Sequence, residues 1–256
     1  MPAANRVKGN RSCRIDFIDG YSIKPSAPLI EDILLHLTNL CIMQSKFPMY
    51  WKVSKINPHY KKGDRTCGEN YRPVSDIIFV SKIVESAVFK QILDHFDKNN
   101  LWHPNHHGFR PGHSTVTALA QLQNIWIEAA EQRKLTAALL LDLSAAFDVV
   151  DHNILIQKLE KYGLSSSTIK WFRSYLEGRY QHVMVESQLS YPLSVGEQGV
   201  PQGSLLGPLC FLIFYNDFPA SRDQGESILY ADDSTDNVSS NSPEDLEINL
   251  QVSFLG

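Results

Sequence analysis

Two adjacent aspartates, Asp232 and Asp233, follow the short apolar run Ile228–Tyr230 and precede a polar stretch that begins at Ser234. This order of residues predicts a strand, a tight turn and a second strand. At a turn the alternation of the pleat is broken, so both carboxylates can approach one cation, and hard ions such as Mg²⁺ prefer such oxygens. Because Asp favours turns in general, a solvated turn without chemistry is the alternative interpretation.

A third acid, Asp142, ends an apolar run that starts at Thr136. A run of this length predicts a strand buried on both faces. A carboxylate at the end of such a strand is costly unless a cation or hydrogen bonds meet it, although it could also cap the following turn. Three carboxylates from two strands can hold two Mg²⁺ about 3.5–4 Å apart, which is the arrangement for in-line phosphoryl or nucleotidyl transfer.

Positive charge is concentrated in a different part of the chain. The net charge is −4, but Lys46–Arg72 contains seven basic and two acidic residues, whereas the chain from Asp217 onward contains nine acidic residues and one Arg. Lys61 and Lys62 lie at a predicted hairpin tip, and Arg72 precedes a proline that favours an extended backbone. Lysine point charges and an arginine fork can clamp a triphosphate, and a solvated basic surface is the alternative.

Composition sets the general class of protein. The 256 residues are 43% hydrophobic and 20% charged, which is typical of a soluble globular chain with a real core. The longest apolar stretch, Leu205–Tyr215, is too short to cross a bilayer, and no secretory signal opens the chain. Four widely spaced cysteines indicate reduced thiols in an intracellular protein rather than a disulfide frame or a zinc site. No membrane partner is expected.

Two further segments could suggest other chemistries. Four histidines lie between His103 and His113, but no Cys or helical spacing supports a zinc site. The glycines of Gly199–Gly207 are not followed by the Lys-Ser/Thr of a phosphate loop, and Ser204 lacks the context of a nucleophilic serine. These patterns argue against a P-loop enzyme and a serine hydrolase.

Several motifs together resemble one known family, the reverse transcriptases of the non-LTR (LINE-like, jockey-type) retrotransposons of animals. The similarity covers the chain from about Ile30 to its end. The motifs stand in the order of that family: Trp-Lys with Lys-Lys-Gly-Asp, Asn-Tyr-Arg-Pro-Val-Ser, Gly-Phe-Arg-Pro-Gly-His-Ser-Thr, Leu-Asp-Leu-Ser-Ala-Ala-Phe-Asp, Gly-Val-Pro-Gln-Gly-Ser-Leu-Leu-Gly-Pro-Leu and Tyr-Ala-Asp-Asp.

The resemblance implies an α+β fold, namely the fingers and palm of a right-hand polymerase, with an antiparallel palm sheet backed by helices and without a thumb. It places an N-terminal extension with one amphipathic helix at residues 1–45. Fingers are expected at 46–112 and 150–198, and a truncated palm at 113–149 and 199–256. The chain is thus expected to end before a thumb, and the endonuclease domain of such elements is not seen.

The resemblance also implies roles for individual residues. Asp142, Asp232 and Asp233 would be the catalytic triad that binds two Mg²⁺. Phe147 would lie under the sugar of the incoming nucleotide and exclude a ribose 2′-hydroxyl. The nucleotide would also contact Lys61, Lys62, Arg72, Gln202 and Gly203, and the template would contact Gly108, Phe109 and Arg110.

The implied activity is RNA-directed DNA polymerase activity, with an RNA template, a DNA primer and dNTPs as partners in the cytoplasm and nucleus. Two departures from the family pattern are expected to matter: His106 stands where Gln is usual, and Asp236-Asn237 interrupt a strand that is normally apolar. An inactive, truncated relic that at most binds RNA is the alternative function. A palm-fold nucleotide cyclase or another two-metal enzyme is a third, which the Asn-Tyr-Arg-Pro and Gly-Val-Pro-Gln-Gly segments disfavour.

Overall fold

The computed structural model describes residues 20–143, 145–221 and 225–255. The described residues form two compact units: unit 1 comprises those of Met1–His95 and Phe147–Phe211, and unit 2 comprises those of Phe96–Ala146 and Leu212–Gly256. Residues 1–19 of the expected N-terminal extension lie outside the described residues. No helix in the described ranges combines the length and the apolar character needed to cross a membrane.

The two kinds of secondary structure are mixed along the chain. Local patterns fix most of the elements, because apolar residues recur with the helical or the strand period between turn formers. In chain order the elements are α1 (Gly20–Met43), β1 (Val53–Tyr60), β2 (Tyr71–Asp76), α2 (Phe79–Lys98), α3 (Thr115–Glu131), β3 (Leu135–Asp142), α4 (His152–Lys161), α5 (Ser166–Leu176), β4 (Arg179–Val185), β5 (Gln188–Leu189), β6 (Leu193–Val195), α6 (Leu206–Tyr215), β7 (Glu226–Tyr230), β8 (Asp233–Ser240) and α7 (Pro243–Leu255).

Unit 1 contains a five-stranded sheet in which the main strand order is β2-β1-β4-β5, and β6 pairs with β4. The hairpin of β1 and β2 is antiparallel, whereas β4 runs parallel to β1. The ring of Phe47 packs edge-on against Trp51, Trp171 and Tyr175. This aromatic cluster connects the chain just before β1 with helix α5.

Unit 2 contains an antiparallel three-stranded sheet with the order β3-β8-β7. Helix α3 begins with a capping box between Ser114 and Thr117, which satisfies backbone groups at its N-terminus. Ala118 and Leu122 of this helix form a buried cluster with Ile228 of β7. The helix therefore covers the strand that leads into the two adjacent aspartates.

The structure corrects the expectation for β3. Its side chains are not buried on both faces: Leu140 is 77% exposed, while Leu139 and Leu141 are half-buried. A continuous apolar run does not distinguish a strand buried on both faces from one with an open face. Asp142 shares the exposed alternation of Leu140, and it therefore ends the strand in solvent rather than in a buried position.

Candidate functional site

The two adjacent aspartates belong to a tight hairpin between β7 and β8. Tyr230 and Asp233 are opposite each other in the ladder, so only Ala231 and Asp232 form the connection. Two-residue hairpin loops need a positive φ at the first position, and Ala231 has a φ of 57°. Because a residue with a Cβ is strained there by about 1–2 kcal/mol, the surrounding structure must hold this turn in place.

The third acid, Asp142, lies beside the β7–β8 hairpin, because β3 pairs with β8. Asp142, the last residue of β3, is directly opposite Asp233, the first residue of β8. Residues opposite each other in an antiparallel pair project to the same side of the sheet, with Cα atoms about 4.5–5.5 Å apart. The fold thus brings together Asp142 and Asp233, which are far apart in sequence, with Asp232 as the immediate neighbour of Asp233.

The electrostatics of these acids are those of a cluster of like charges. Asp142 and Asp233 are exposed and Asp232 is half-buried. Partial burial, followed by the charges of Asp232 and Asp142, raises the pKa of Asp233 above its usual value. Among the described residues, none forms an ion pair with any of the three.

The three acids match a metal ion in their chemistry but not in the spacing of their side chains. In the described ranges, no three His, Cys, Asp or Glu side chains are grouped closely enough to hold one ion together. The chemistry of the three acids nevertheless fits a hard divalent cation, because all their donors are carboxylate oxygens. The repulsion that raises the pKa of Asp233 is also the repulsion that a cation would relieve.

Strand β8 is complete although its sequence is polar. Asp236 accepts a hydrogen bond from Ser227 of β7. The Asn237 amide donates to the carbonyl oxygens of Glu226 and Thr235 at 3.1 and 3.2 Å, and its oxygen accepts from Trp126 Nε1 at 2.8 Å. The expected interruption at Asp236-Asn237 does not occur, since β8 runs through both residues and partners on β7 and α3 form hydrogen bonds to their side chains.

The segment before α3 lies alongside β7. The Leu229 nitrogen donates to the Asn105 carbonyl at 2.9 Å, and the His107 nitrogen donates to the Leu229 carbonyl at 2.8 Å. Gly108 follows, packed against the backbone of Ala231. Sequence reasoning missed this pairing, because a single bridge to a strand more than a hundred residues away leaves no periodic pattern.

The neighbouring residues of this segment differ in exposure. Phe109 is exposed at 47%. The half-buried Arg110 donates from Nη1 to the His103 and His106 carbonyls at 3.0 and 2.8 Å. The Arg110 guanidinium therefore binds backbone carbonyls of the segment that precedes it.

Two histidines of this segment are buried in different environments. The His107 ring forms hydrogen bonds to Thr117 Oγ1 at 2.9 Å and Gln121 Oε1 at 2.8 Å. His106 is fully buried, and neither ring nitrogen has a hydrogen-bond partner. Burial, with a smaller effect of the nearby Arg110 charge, lowers the pKa of His106 to about 3. The His106 ring is therefore neutral near pH 7.

In unit 1, the basic candidates lie on the β1–β2 hairpin. Lys61 and Lys62 are exposed in the loop after β1, and Arg72 is exposed on β2 opposite His59. The loop itself is ordered by hydrogen bonds, including that from Tyr60 Oη to the Gly63 carbonyl at 2.7 Å. The structure thus places all three positive groups on one solvent-facing hairpin. Lys61 and Lys62 lie at its tip, as the sequence predicted.

The remaining candidates of unit 1 are joined by a short backbone ladder. The Val200 nitrogen donates to the Phe147 carbonyl at 2.8 Å, and the half-buried Phe147 ring lies 5.3 Å from that of Phe211. Gln202 Nε2 lies 3.0 Å from each carboxylate oxygen of Asp148. Asp148 therefore orients the Gln202 amide, while Asp151 caps the N-terminus of α4.

Gly203 occupies a place that requires glycine. Its φ is 121°, and an added Cβ would overlap the Ser75 carbonyl oxygen. The Ser75 nitrogen also donates to the Gln202 carbonyl at 2.6 Å. The structure thus ties the segment of Gln202 and Gly203 directly to the end of β2.

A buried polar cluster in unit 1 gave no signal in the sequence. Glu85 is fully buried; its Oε2 accepts from the Leu205 nitrogen at 2.8 Å, and its Oε1 has no partner. Burial raises the pKa of Glu85, while the charge of Arg179 opposes this shift. Arg179 Nη1 donates to the Tyr175 carbonyl at 2.8 Å. In the sequence, Glu85 looks like any acid of an amphipathic helix. Its neighbours Leu205 and Arg179 are more than ninety residues away and are brought to it only by the tertiary structure.

Comparison with protein families gives one match that covers most of the chain. The family described as "Reverse transcriptase (RNA-dependent DNA polymerase)" matches residues 60–254. This range includes the three aspartates, the β1–β2 loop, and the segments that contain Phe147 and Gln202.

Several curated proteins of Drosophila melanogaster are similar in sequence. The probable RNA-directed DNA polymerase from transposon BS is 34% identical over 73% of this chain and 21% of that protein. The corresponding protein of the X-element is 31% identical over 84% and 24%, and that of the mobile element jockey is 30% identical over 80% and 22%. The chain thus spans less than a quarter of the length of each of these relatives.

A solved structure shares the fold. It is an apo telomerase from Candida tropicalis, truncated from its C-terminal domain, and it matches with a TM-score of 0.59 at 13% sequence identity. The match covers 81% of this chain and 47% of the telomerase chain. This similarity supports the arrangement of helices and strands described above.

Proposed function

Because the chain belongs to the reverse transcriptase (RNA-dependent DNA polymerase) family, we propose that it carries the catalytic centre for RNA-directed DNA synthesis by a relative of the non-LTR retrotransposons. The reaction is transfer of a nucleotide from a dNTP to a primer 3′-hydroxyl on an RNA template. The observation that carries the proposal is the pairing of Asp142 with Asp233 beside a two-residue turn that contains Asp232.

The three aspartates act as the ligands of two Mg²⁺. When bound, these ions supply the positive charge that lowers the pKa of an attacking hydroxyl and stabilises a pyrophosphate leaving group. The aspartates contribute oxygen donors whose backbone positions are fixed by the β3-β8-β7 ladder. A preformed backbone reduces the reorganisation that is needed when charge develops during the reaction.

The residues of unit 1 bind the nucleotide. Lys61, Lys62 and Arg72 donate to the triphosphate from the β1–β2 hairpin, which their exposure and shared location support. Phe147 excludes a ribose 2′-hydroxyl, and contact with Phe211 limits the movement of its ring. Gln202, oriented by Asp148, and Gly203 provide the polar surface for the nucleotide.

The proposal includes a division of the chain into the parts of a right-hand polymerase. Residues 46–112 and 150–198 form the fingers, and residues 113–149 and 199–256 form the palm. The antiparallel sheet of unit 2, which carries the three aspartates, supports a palm. The parallel pairing of β1 with β4 supports a finger module built from two separate stretches of the chain.

The test of this function is primer extension on an RNA template with dNTPs and Mg²⁺. Where the wild-type chain extends the primer, we expect Asp232→Asn to lower the rate at least about 10³-fold, because an essential metal ligand is lost. Glu244→Gln, which removes an exposed acid of α7, is the matched control and should retain the wild-type rate. An unchanged rate in Asp232→Asn would refute the assignment, and salt-dependent RNA binding without extension would favour the non-catalytic alternative.

The role of Phe147 has a separate test. Phe147→Ala should increase incorporation of ribonucleotides relative to dNTPs, because the ring no longer excludes the 2′-hydroxyl. Phe211→Leu is the control for general loosening of this ring pair. Equal discrimination by wild type and Phe147→Ala would contradict the proposed gate.

A further inference from the structure

The turn that holds Asp232 is intrinsically strained, so something other than its own sequence must stabilise it. Ala231 adopts a φ of 57° although it is not glycine. It is nevertheless 91% shielded from solvent, with 9% of its surface exposed. The contacts that bury Ala231 are therefore candidates for holding the adjacent carboxylates in position.

Those contacts come from the segment that precedes α3. Asn105 and His107 form backbone hydrogen bonds with Leu229 on the outer edge of β7. The pairing is parallel and centred on His106. The segment thus extends the sheet by one short bridge that ends immediately before Gly108.

Gly108, the residue after this bridge, packs directly against the backbone of the Ala231–Asp232 turn. A Cβ added to Gly108 would overlap the Ala231 nitrogen and would lie only 2.7 Å from the Ala231 Cα and 3.1 Å from the Tyr230 carbonyl carbon. All three are backbone atoms, so no side-chain rotation could make room. Glycine is therefore required at position 108 for the turn to keep its present place.

The segment is itself fixed by side chains. Arg110 bridges two carbonyls of the segment, those of His103 and His106, and its guanidinium lies 5.7 Å from the centre of the Trp102 ring. The Asn105 amide donates to Glu226 Oε1 at 3.0 Å, at the start of β7. The segment therefore contacts β7 at its first residue, Glu226, and packs against Ala231 just after its last residue.

We propose that Gly108 and Arg110 are positioning residues, which hold the Ala231–Asp232 turn and thereby the carboxylates of Asp232 and Asp233. This role rests on the proposed polymerase function of the three aspartates. It differs from the template contact that the sequence resemblance implies for the same two residues. The contacts made by Gly108 and Arg110 are directed at the polypeptide: Gly108 packs on the turn, and Arg110 binds carbonyl oxygens.

The first experiment compares Gly108→Ala with Gly196→Ala, because an added Cβ at Gly196 meets no atom within 4 Å. Three quantities are measured in the full chain: the affinity for Mn²⁺ by electron paramagnetic resonance, the affinity for a primer–RNA duplex, and the single-turnover extension rate. For Gly108→Ala we expect about 10-fold weaker Mn²⁺ binding and about 100-fold slower extension, with duplex affinity within about twofold. Gly196→Ala should match wild type in all three.

The opposite pattern would overturn the proposal. A template role predicts that Gly108→Ala weakens duplex binding about 10-fold, while Mn²⁺ affinity and the rate of the saturated complex stay at wild-type values. Wild-type values throughout would also overturn it. If the wild-type chain does not extend primers, the proposed function fails, whereas Mn²⁺ affinity still decides whether Gly108 positions the acids.

A second variant keeps the proposal testable if Gly108→Ala does not fold. Arg110→Met removes the bridge to the two carbonyls but retains the length of the side chain. A lost phosphate contact would reduce the slope of log affinity for single-stranded RNA against log salt by about 0.7. We expect Arg110→Met to leave this slope unchanged and to speed hydrogen exchange of the Leu229 amide about 10-fold or more. A reduced slope with unchanged exchange would assign Arg110 to the template instead.

Discussion

In unit 1, the carboxylate of Glu85 is buried, accepts a backbone hydrogen bond from Leu205 and lies in the field of Arg179. In unit 2, Asp142 and Asp233 face each other at the surface, and among the described residues neither has a cationic partner. In the first arrangement the acid is enclosed by the protein, and one of its oxygens accepts a backbone hydrogen bond. The second leaves neighbouring negative charges uncompensated, which costs stability and which a bound cation would relieve.

The largest expected effect is on the extension rate, and it comes from removing the exposed carboxylate of Asp142. Asp142→Asn should slow RNA-templated extension at least about 10³-fold, equivalent to about 4 kcal/mol. The same variant should leave the free energy of unfolding of the metal-free protein unchanged or raise it by about a few tenths of a kcal/mol, because one like charge is removed. Single-turnover kinetics and urea denaturation measure the two quantities. A large loss of stability would show that Asp142 is structural.

The reverse is expected for Glu85. Glu85→Ala removes the acceptor of the Leu205 nitrogen and leaves the Arg179 guanidinium buried, so the free energy of unfolding should fall by about 3 kcal/mol. Glu85→Gln keeps an acceptor oxygen and should lose clearly less. Urea denaturation of both variants gives the comparison. A loss below about 0.5 kcal/mol for Glu85→Ala would show that the buried cluster does not stabilise unit 1.

An intermediate effect concerns pH. The pKa of His106 is about 3 in the folded chain and 6.5 in the reference state, so the unfolded chain binds an extra proton between these values. Stability should therefore fall as pH decreases through this window, by about 2 kcal/mol between pH 7 and pH 5 from this residue. His106→Leu should remove that part of the dependence in urea titrations. The same pH slope in the variant would contradict the burial of a neutral ring.

The smallest effect tests how Gln202 is oriented. Asp148→Ala should raise KM for dNTPs about threefold with kcat retained, because an exposed hydrogen-bonded pair contributes about 0.5–1 kcal/mol. Asp148→Asn keeps an acceptor and should restore most of the loss. Asp151→Ala, which removes the cap of α4, should lower stability by about 1 kcal/mol without changing KM. Equal KM values in Asp148→Ala and wild type would remove this role of Asp148.

Local patterns were sufficient for much of the fold. The hairpin tip at Lys61 and Lys62 and the turn at Asp232 were both predicted from turn chemistry, and the structure confirms these features. Each of them depends on residues within one or two turns of the chain. The same sequence-local reasoning located the segments of the three candidate acids.

The failures all involve partners that are distant in sequence. The polar residues Asp236 and Asn237 were expected to interrupt β8, but the strand is continuous, and Ser227 and Trp126 donate hydrogen bonds to their side chains. The exposed face of β3 depends on what covers the sheet, which a single apolar run does not specify. The pairing of Asn105 and His107 with β7, like the burial of Glu85, is likewise created only by tertiary structure.

The order of strands also constrains how the chain can fold during synthesis. β1 pairs with β4 and β3 pairs with β8. Each sheet is therefore completed only when a strand about a hundred residues further along the chain has left the ribosome. Until then, β3 exposes an apolar edge that can pair with other chains. A nascent chain released before Asp233 would contain all of unit 1 but would lack β8, the central strand of the sheet in unit 2, so β3 and β7 would have no common partner strand.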